Sequence, residues 1–465
     1  MLFTTDKQTL DDLNIFGKQG SDSVYAIFNR TITRGGAGIL EEMFRYPLSD
    51  EGEINRRSGI IQYFASLGTT FPFQSAHFDA IEPYLRNMDE RTKLDTEDHS
   101  FSKKLSNLVG VDAETTVIYK GVTALTELLQ GTSDFIASLN GKAGNAQGKE
   151  DGLSPGPAPA HYYQDDKDVI AALLAEPGFT PVLRAQGKLS HATMAAYDTI
   201  FRFGQKETIE KLLRMIYCLD VYLSVAKVAL ERSFVFPKAL PKEEHRIDLE
   251  GLYHPQLKNP VPNNLRVRRD NNVLFLTGAN MAGKSTFMKS LGIALFLAHM
   301  GFPVAASGME FSVLDGIYTT INLSDNLGMG ASHFYAEVLR VKKVARELSV
   351  GKNLFVIFDE LFRGTNVKDA YEATIAITAA FAAKRNSIFV ISTHIIEAAA
   401  VLKEQCGNVR FIYLPTRMKG SVPVYTYMLE TGITEDRHGM IIISNEGILD
   451  LLKQGTERTR KTTQS

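Results

Sequence analysis

The chain has 465 residues, 44% hydrophobic and 22% charged, an ordinary globular composition but too long for a single core, so two or three domains are expected. Its formal net charge of −2 means that contact with a polyanion has to come from local basic patches rather than from the whole molecule. Two cysteines, Cys218 and Cys406, argue against a disulfide framework or a zinc site and suit a reducing cytosol. The opening Met1-Leu2-Phe3-Thr4-Thr5-Asp6 has no basic stretch leading into an apolar core, so no signal peptide is expected. The longest apolar run, 291–298, is too short for a bilayer, which makes the cytoplasm the default location and leaves no role for a membrane.

Residues 11–64 carry helical signal through Leu13, Ile15, Phe16, Val24, Ile27 and Phe28. Thr33-Arg34-Gly35-Gly36 interrupts it, a helix restarts over 37–44, Pro47 ends that helix, and Ser49 or Asp50 can cap the next. A helix is predicted over 116–139 from Val117, Ile118, Val122, Leu125, Leu129 and Ile136, weakened by Gly121 and Gly131. Residues 141–160 are rich in Gly, Pro and Ala; they cannot bury enough apolar surface to offset ordering entropy and read as a mobile surface loop. Helical signal returns over 191–203, then a long amphipathic helix is predicted over 208–233, with Ile209, Leu212, Leu213, Ile216, Leu219, Leu223, Ala226 and Leu230 on one stripe. Nothing before residue 235 alternates with period two, so 1–240 is expected to be one largely helical domain. Beyond it, apolar runs at 273–276, 354–358, 388–391 and 411–414 alternate with helical stretches, so 241–465 is expected to be an α/β domain with a mainly parallel sheet. The polar tail 455–465, with Arg458, Arg460 and Lys461, reads as frayed.

Between a strand and a helix of that second domain lies Gly278-Ala279-Asn280-Met281-Ala282-Gly283-Lys284-Ser285-Thr286. Strand, glycine loop and helix are the setting of a phosphate-binding P-loop. Gly278 and Gly283 let the backbone curl, the helix contributes its positive dipole end, Lys284 a mobile charge, and the Ser285 hydroxyl a ligand for Mg²⁺. The run 354–358 ends in Asp359-Glu360; in P-loop enzymes an Asp at that place holds Mg²⁺, and an adjoining Glu can align the attacking water. Residues 325–334 put glycines and Ser332 before a helix, a second candidate phosphate-facing helix N-terminus or, equally, a capped glycine turn. His394, after the run 388–391, can sense a γ-phosphate. Arg266, Arg268 and Arg269 form a small basic cluster that reads as solvated surface.

These pieces stand in the order of an ATPase of the ABC class. The loop with its central Asn280-Met281, Asp359-Glu360-Leu361-Phe362-Arg363-Gly364-Thr365 with Asp369, Thr393-His394 with Glu397, and Asp325, Leu327, Gly330, Ser332 and Phe334 resemble the MutS family of DNA mismatch repair ATPases. Asp12-Leu13-Asn14-Ile15, Thr33, Gly36, Leu40 and Pro47, Leu219-Asp220-Val221, and His254-Pro255 resemble that family's helical core, lever and entry to the ATPase domain. The resemblance implies an ATP-hydrolysing, DNA-binding homodimer acting in mismatch repair or recombination, with further repair proteins as possible partners. In it Lys284 binds phosphate, Ser285 and Asp359 hold Mg²⁺, Glu360 directs the water, His394 meets the γ-phosphate, and Ser332 reaches the nucleotide held by the other protomer. Full-length members carry two more domains before the helical core, the first with a mismatch-reading wedge, which is expected to be missing here. Pro260 stands where the family has an adenine-stacking Phe, and Ala282 replaces a glycine. The competing expectation is a nucleotide-switched protein-interaction ATPase that does not bind mismatched DNA; the energising subunit of a transporter is a weaker third.

Overall fold

The structure is a computed structural model that describes residues 3–17, 22–94, 109–143, 159–321, 333–419, 422–434, 447–448 and 451–452. Ser332, most of the 141–160 segment and the tail 455–465 lie outside the described residues. The chain divides into two compact units, one of Met1–Val24, Pro47–Asn55 and Phe234–Ser465, the other of Tyr25–Tyr46 and Arg56–Ser233.

The second of these units is helical. Its longest elements are Val109–Ala143 and Lys206–Arg232, joined by Arg34–Arg45 and Ser75–Arg86. The amphipathic stripe predicted over 208–233 is buried from Ile209 to Ala229, although Leu230 stays exposed, and Ser233 ends the helix in the left-handed region at φ 53°. Gly121, expected to weaken its helix, is instead a contact point: a Cβ there would meet the Tyr84 ring at 2.2 Å. Asp220 on the long helix accepts from the Ile32 and Thr33 amides and from the Thr33 hydroxyl, which itself caps Arg34–Arg45 through the Gly36 amide. Burial pushes the Asp220 carboxyl up, and those three donors oppose the rise.

The other unit is built on a six-stranded sheet. Its order is Glu430–Thr431, Val409–Leu414, Val273–Gly278, Ile388–Ser392, Leu354–Phe358 and Gly316–Thr320. All pairings are parallel except that of Glu430–Thr431 with Val409–Leu414. Four of its strands are buried along their whole length, which is why they read as unbroken apolar runs: a parallel sheet needs its crossovers on its faces and leaves no solvated side. The crossover helices Lys284–His299, His333–Ser349, Val367–Ala382 and Ala398–Gln405 follow strands in this sheet. A mixed four-stranded sheet, in the order Lys238–Leu240, Gly308–Ser312, Ile247–Leu252 and Asn263–Val267, has no counterpart in the sequence reading. Its strands have three to six residues, and Ile247–Leu252 is bulged at Leu249/Leu252, so no clean period survives. No described helix is long and apolar enough to cross a membrane.

The structure distributes the first residues differently from the expected 1–240 block: residues 1–24 and 47–55 belong with 234–465. The helical period of this stretch reports only that one face is covered, not what covers it. Thr4 bridges to Gly316, donating to the Asp315 carbonyl at 2.8 Å and accepting from the Ile317 amide at 3.0 Å, and so closes the edge of the six-stranded sheet. A Cβ at Gly316 would lie 2.4 Å from the Thr4 carbonyl oxygen. Gly316→Ala is therefore expected to destabilise the fold by about 1–3 kcal/mol, even after the smaller gain from a stiffer unfolded chain. A thermal or denaturant midpoint equal to that of the unaltered protein would show that residues 3–5 do not seal this edge.

Candidate functional site

The strand Val273–Gly278 runs to the carboxyl edge of the sheet, the end at which α/β sheets present their sites. There the backbone curls through Gly278 at φ 148°, Met281 at φ 69° and Gly283 at φ 100°, and Gly283 enters the helix Lys284–His299 with no side chain capping it. The helix therefore offers its positive end to the loop's concave side. Met281, an L-residue in the left-handed region, is 77% exposed, so local packing does not account for its strain.

Lys284 is buried, and its Nζ donates to the Gly278 carbonyl at 2.8 Å and the Ala279 carbonyl at 3.2 Å. Burial lowers its pKa, resisted by the charges of Asp359 and Glu360. The Ser285 hydroxyl donates to Oδ2 of Asp359 at 2.7 Å, although 74 residues separate them; the parallel sheet brings both to one edge. Oδ1 of Asp359 is buried with no hydrogen-bond partner. A buried carboxylate oxygen without a donor is costly, and beside a hydroxyl it forms a hard oxygen pair suited to Mg²⁺. Among the described residues no three His, Cys, Asp or Glu side chains converge as an all-protein metal cage. That is the usual arrangement where Mg²⁺ keeps waters and phosphate oxygens as its other ligands.

Glu360 follows in the left-handed region at φ 51°, with Phe362 at φ 63°. Its Oε1 lies 2.9 Å from Nε2 of His394, and its Oε2 accepts from Nη1 of Arg363 at 2.5 Å. Burial would raise the Glu360 carboxyl, but hydrogen bonds and charge from Arg363 and His394 hold it below the usual range. Thus Lys284, Ser285, Asp359, Glu360 and His394, chosen from sequence, converge on one edge; Ser332 lies outside the described residues. Of the remaining loop residues, Ala282 is buried, whereas Asn280 and Thr286 are exposed.

A cavity of about 520 Å³ opens beside the loop, lined on one side by Met281, Gly283, Lys284, Ser285 and Thr286 and on the other by Tyr253, His254, Pro260 and Tyr427. Burial and the Lys289 charge lower the His254 pKa. Tyr427 escaped the sequence reading. It sits 149 residues beyond Gly278 in a stretch without periodicity, yet its ring would be 3.0 Å from a Cβ at Gly283. Asn263 fixes it there, donating to the Tyr427 carbonyl at 3.0 Å and accepting from the Leu429 amide at 2.6 Å.

Residues 274–461 match the family model of MutS domain V. That match takes in the loop 278–286, Asp359, Glu360 and His394. Curated proteins named DNA mismatch repair protein MutS are similar to part of the chain. The DNA mismatch repair protein MutS of Fusobacterium nucleatum is 27% identical over 251 residues, 53% of this chain and 28% of the relative. That of Persephonella marina is 28% identical over 256 residues, 54% and 29% of the two chains. The Streptococcus suis protein of the same name is 28% identical over 260 residues, 55% and 30% of the two chains. The chain spans under a third of the length of the relatives it matches.

Proposed function

We propose that the chain is an Mg²⁺-dependent ATPase of the MutS type, with an ABC-type P-loop ATPase domain, that binds DNA as a homodimer in mismatch repair or recombination in the cytoplasm. The observation that carries the proposal is the Ser285–Asp359 pair with its unpartnered Oδ1, set beside a buried lysine in a curled glycine loop.

In this reading the triphosphate lies in the concave loop of 278–286, and the Lys284 ammonium exchanges its two carbonyl acceptors for phosphate oxygens. Ser285 and Asp359 hold Mg²⁺, which when bound neutralises phosphate charge. The adenine side of the nucleotide enters the cavity between Pro260 and Tyr427, where the Tyr427 ring supplies the stacking face that Pro260 lacks. Glu360, kept ionised by its low pKa, accepts hydrogen bonding from the attacking water and orients it. Both of its oxygens are occupied, one by His394 and one by Arg363. Turning His394 toward the γ-phosphate frees Oε1 for the water and couples nucleotide arrival to the hydrolytic geometry. Ser332 of a second copy completes the site. ATP binding then shifts a two-state equilibrium by its differential affinity for the closed pair, and the helices of the other unit move with it.

The test is ATP turnover, and DNA retention, with duplex, branched and mismatched DNA in each nucleotide state. Turnover that responds to DNA, and salt-sensitive DNA binding that changes with nucleotide, are expected. ATP hydrolysis without DNA binding in any state would favour the second reading, a nucleotide-switched protein-interaction ATPase, for which the net charge of −2 speaks. No ATP hydrolysis under any condition would end both.

A further inference from the structure

Residues 3–15 do more than cover a sheet edge. Asp6 caps the helix Lys7–Asp12 through the Thr9 amide at 3.0 Å and also pairs with Arg340 and, at 2.6 Å, with Lys343 on the helix His333–Ser349. Burial would raise the Asp6 carboxyl, but those two cations pull it well below the usual range. Thr9 Oγ1 accepts from the Thr319 amide at 3.0 Å. Asp12 is buried; its Oδ2 accepts from the Thr319 hydroxyl at 2.8 Å and from the Ile321 amide at 2.9 Å, while Oδ1 accepts from Gln8 at 2.9 Å. Arg340 completes the clip, donating to the Thr319 carbonyl at 2.7 Å and the Thr320 hydroxyl at 3.1 Å. Leu13 meanwhile packs against Gly292 of the helix Lys284–His299, where a Cβ would lie 2.6 Å from it.

The residue held from both sides by this clip, Thr320, also meets Asp359. Its carbonyl accepts from the Asp359 amide at 2.9 Å. The carboxylate with the unpartnered Oδ1 is thus one hydrogen bond from a strand end that Asp12 grips at the preceding and the following residue. Resting on the nucleotide reading above, we propose that Asp12 is a positioning residue for Asp359: it fixes the strand end that sets the Asp359 backbone, and through it the placement of the Mg²⁺-holding oxygens. A covering segment would need only apolar contact. Buried charges are expensive to keep without a geometric role, and these bind backbone and hydroxyl groups at the strand end whose Thr320 carbonyl accepts from the Asp359 amide.

Equilibrium binding of a fluorescent ATP analogue, in EDTA and in Mg²⁺, separates this role from packing. In EDTA, Asp12→Ala, Asp12→Asn and Thr319→Val are each expected to bind like the unaltered protein, since the loop 278–286 does not depend on the clip. The tightening that Mg²⁺ produces should shrink by about 10-fold in Asp12→Ala, the scale of effect for an outer partner of a metal ligand. It should be largely restored in Asp12→Asn, which keeps an acceptor oxygen. Thr319→Val, which removes one of the two links while keeping shape, should move in the same direction and decides the matter if Asp12→Ala does not fold. An undiminished Mg²⁺ effect in folded Asp12→Ala or Thr319→Val would overturn the proposal and leave the nucleotide site standing. An unaltered protein that binds no ATP analogue with or without Mg²⁺ would instead remove the nucleotide reading, and this one with it.

Discussion

Glu360→Gln is expected to bind ATP with near-normal affinity and to turn it over about 10²- to 10⁴-fold more slowly, the span that a positioned general base contributes. Glutamine keeps the size of the side chain and an oxygen for His394 or Arg363, but it cannot accept the proton of the attacking water. The loop 278–286 and the Ser285–Asp359 pair do not include this residue, so ATP capture should persist. Single-turnover hydrolysis beside equilibrium binding makes the comparison. Equal rates would take Glu360 out of the proposed role and leave its contacts with His394 and Arg363 as a purely structural pair. The pH dependence has a definite sign. A carboxylate whose folded pKa lies below its unfolded one adds stability that is fully present above the ordinary glutamate range and is lost as pH falls through the lower folded value. Glu360 should therefore stay ionised throughout the neutral range, and no loss of turnover between about pH 6 and 8 should trace to it.

Lys284→Ala is expected to weaken ATP binding itself, by about 10- to 150-fold, the equivalent of roughly 1.5–3 kcal/mol for a charge-assisted hydrogen bond in a secluded site. The ammonium is buried, and both of its acceptors are carbonyls of the loop that it would stabilise against phosphate. A melting curve checks that the vacated space has not loosened the domain, and titration with the ATP analogue measures the loss. Unchanged affinity in a folded protein would place the triphosphate elsewhere. The two variants are expected to divide the proposed site, with Lys284→Ala affecting capture and Glu360→Gln the chemical step.

The gathering of Lys284, Ser285, Asp359, Glu360 and His394 at this edge was legible because each piece is contiguous. The loop 278–286, the acids after the run 354–358 and the His after 388–391 each follow a buried strand, and a parallel sheet delivers all such strand ends to one edge. The amphipathic stripe of Lys206–Arg232 was legible for a similar reason: a helix that packs on one side writes its period into eleven or more neighbouring residues. The mixed sheet of Lys238–Leu240, Gly308–Ser312, Ile247–Leu252 and Asn263–Val267 was not, because its short strands are interrupted by a bulge and joined across long separations. Tyr427 was missed on the same ground. Only the Asn263 clamp places it beside Gly283, and nothing near it in sequence marks an aromatic ring as facing a cavity.

What the sequence determined by itself was the alternation of strands and helices after residue 246, the helical character of most of the chain before it, and which motif residues a parallel sheet would bring to one edge. These follow from periodicity and from motifs whose members are close neighbours in the chain. The tertiary structure alone decided that residues 1–24 join the sheet-bearing unit, that Gly316 yields its Cβ space to Thr4, and that Asp12 reaches across 307 residues to the Thr319 hydroxyl beside the strand end that sets Asp359. Such pairings are chosen by the closure of a sheet edge and the need to partner buried charge, and those conditions exist only once distant segments have been brought together.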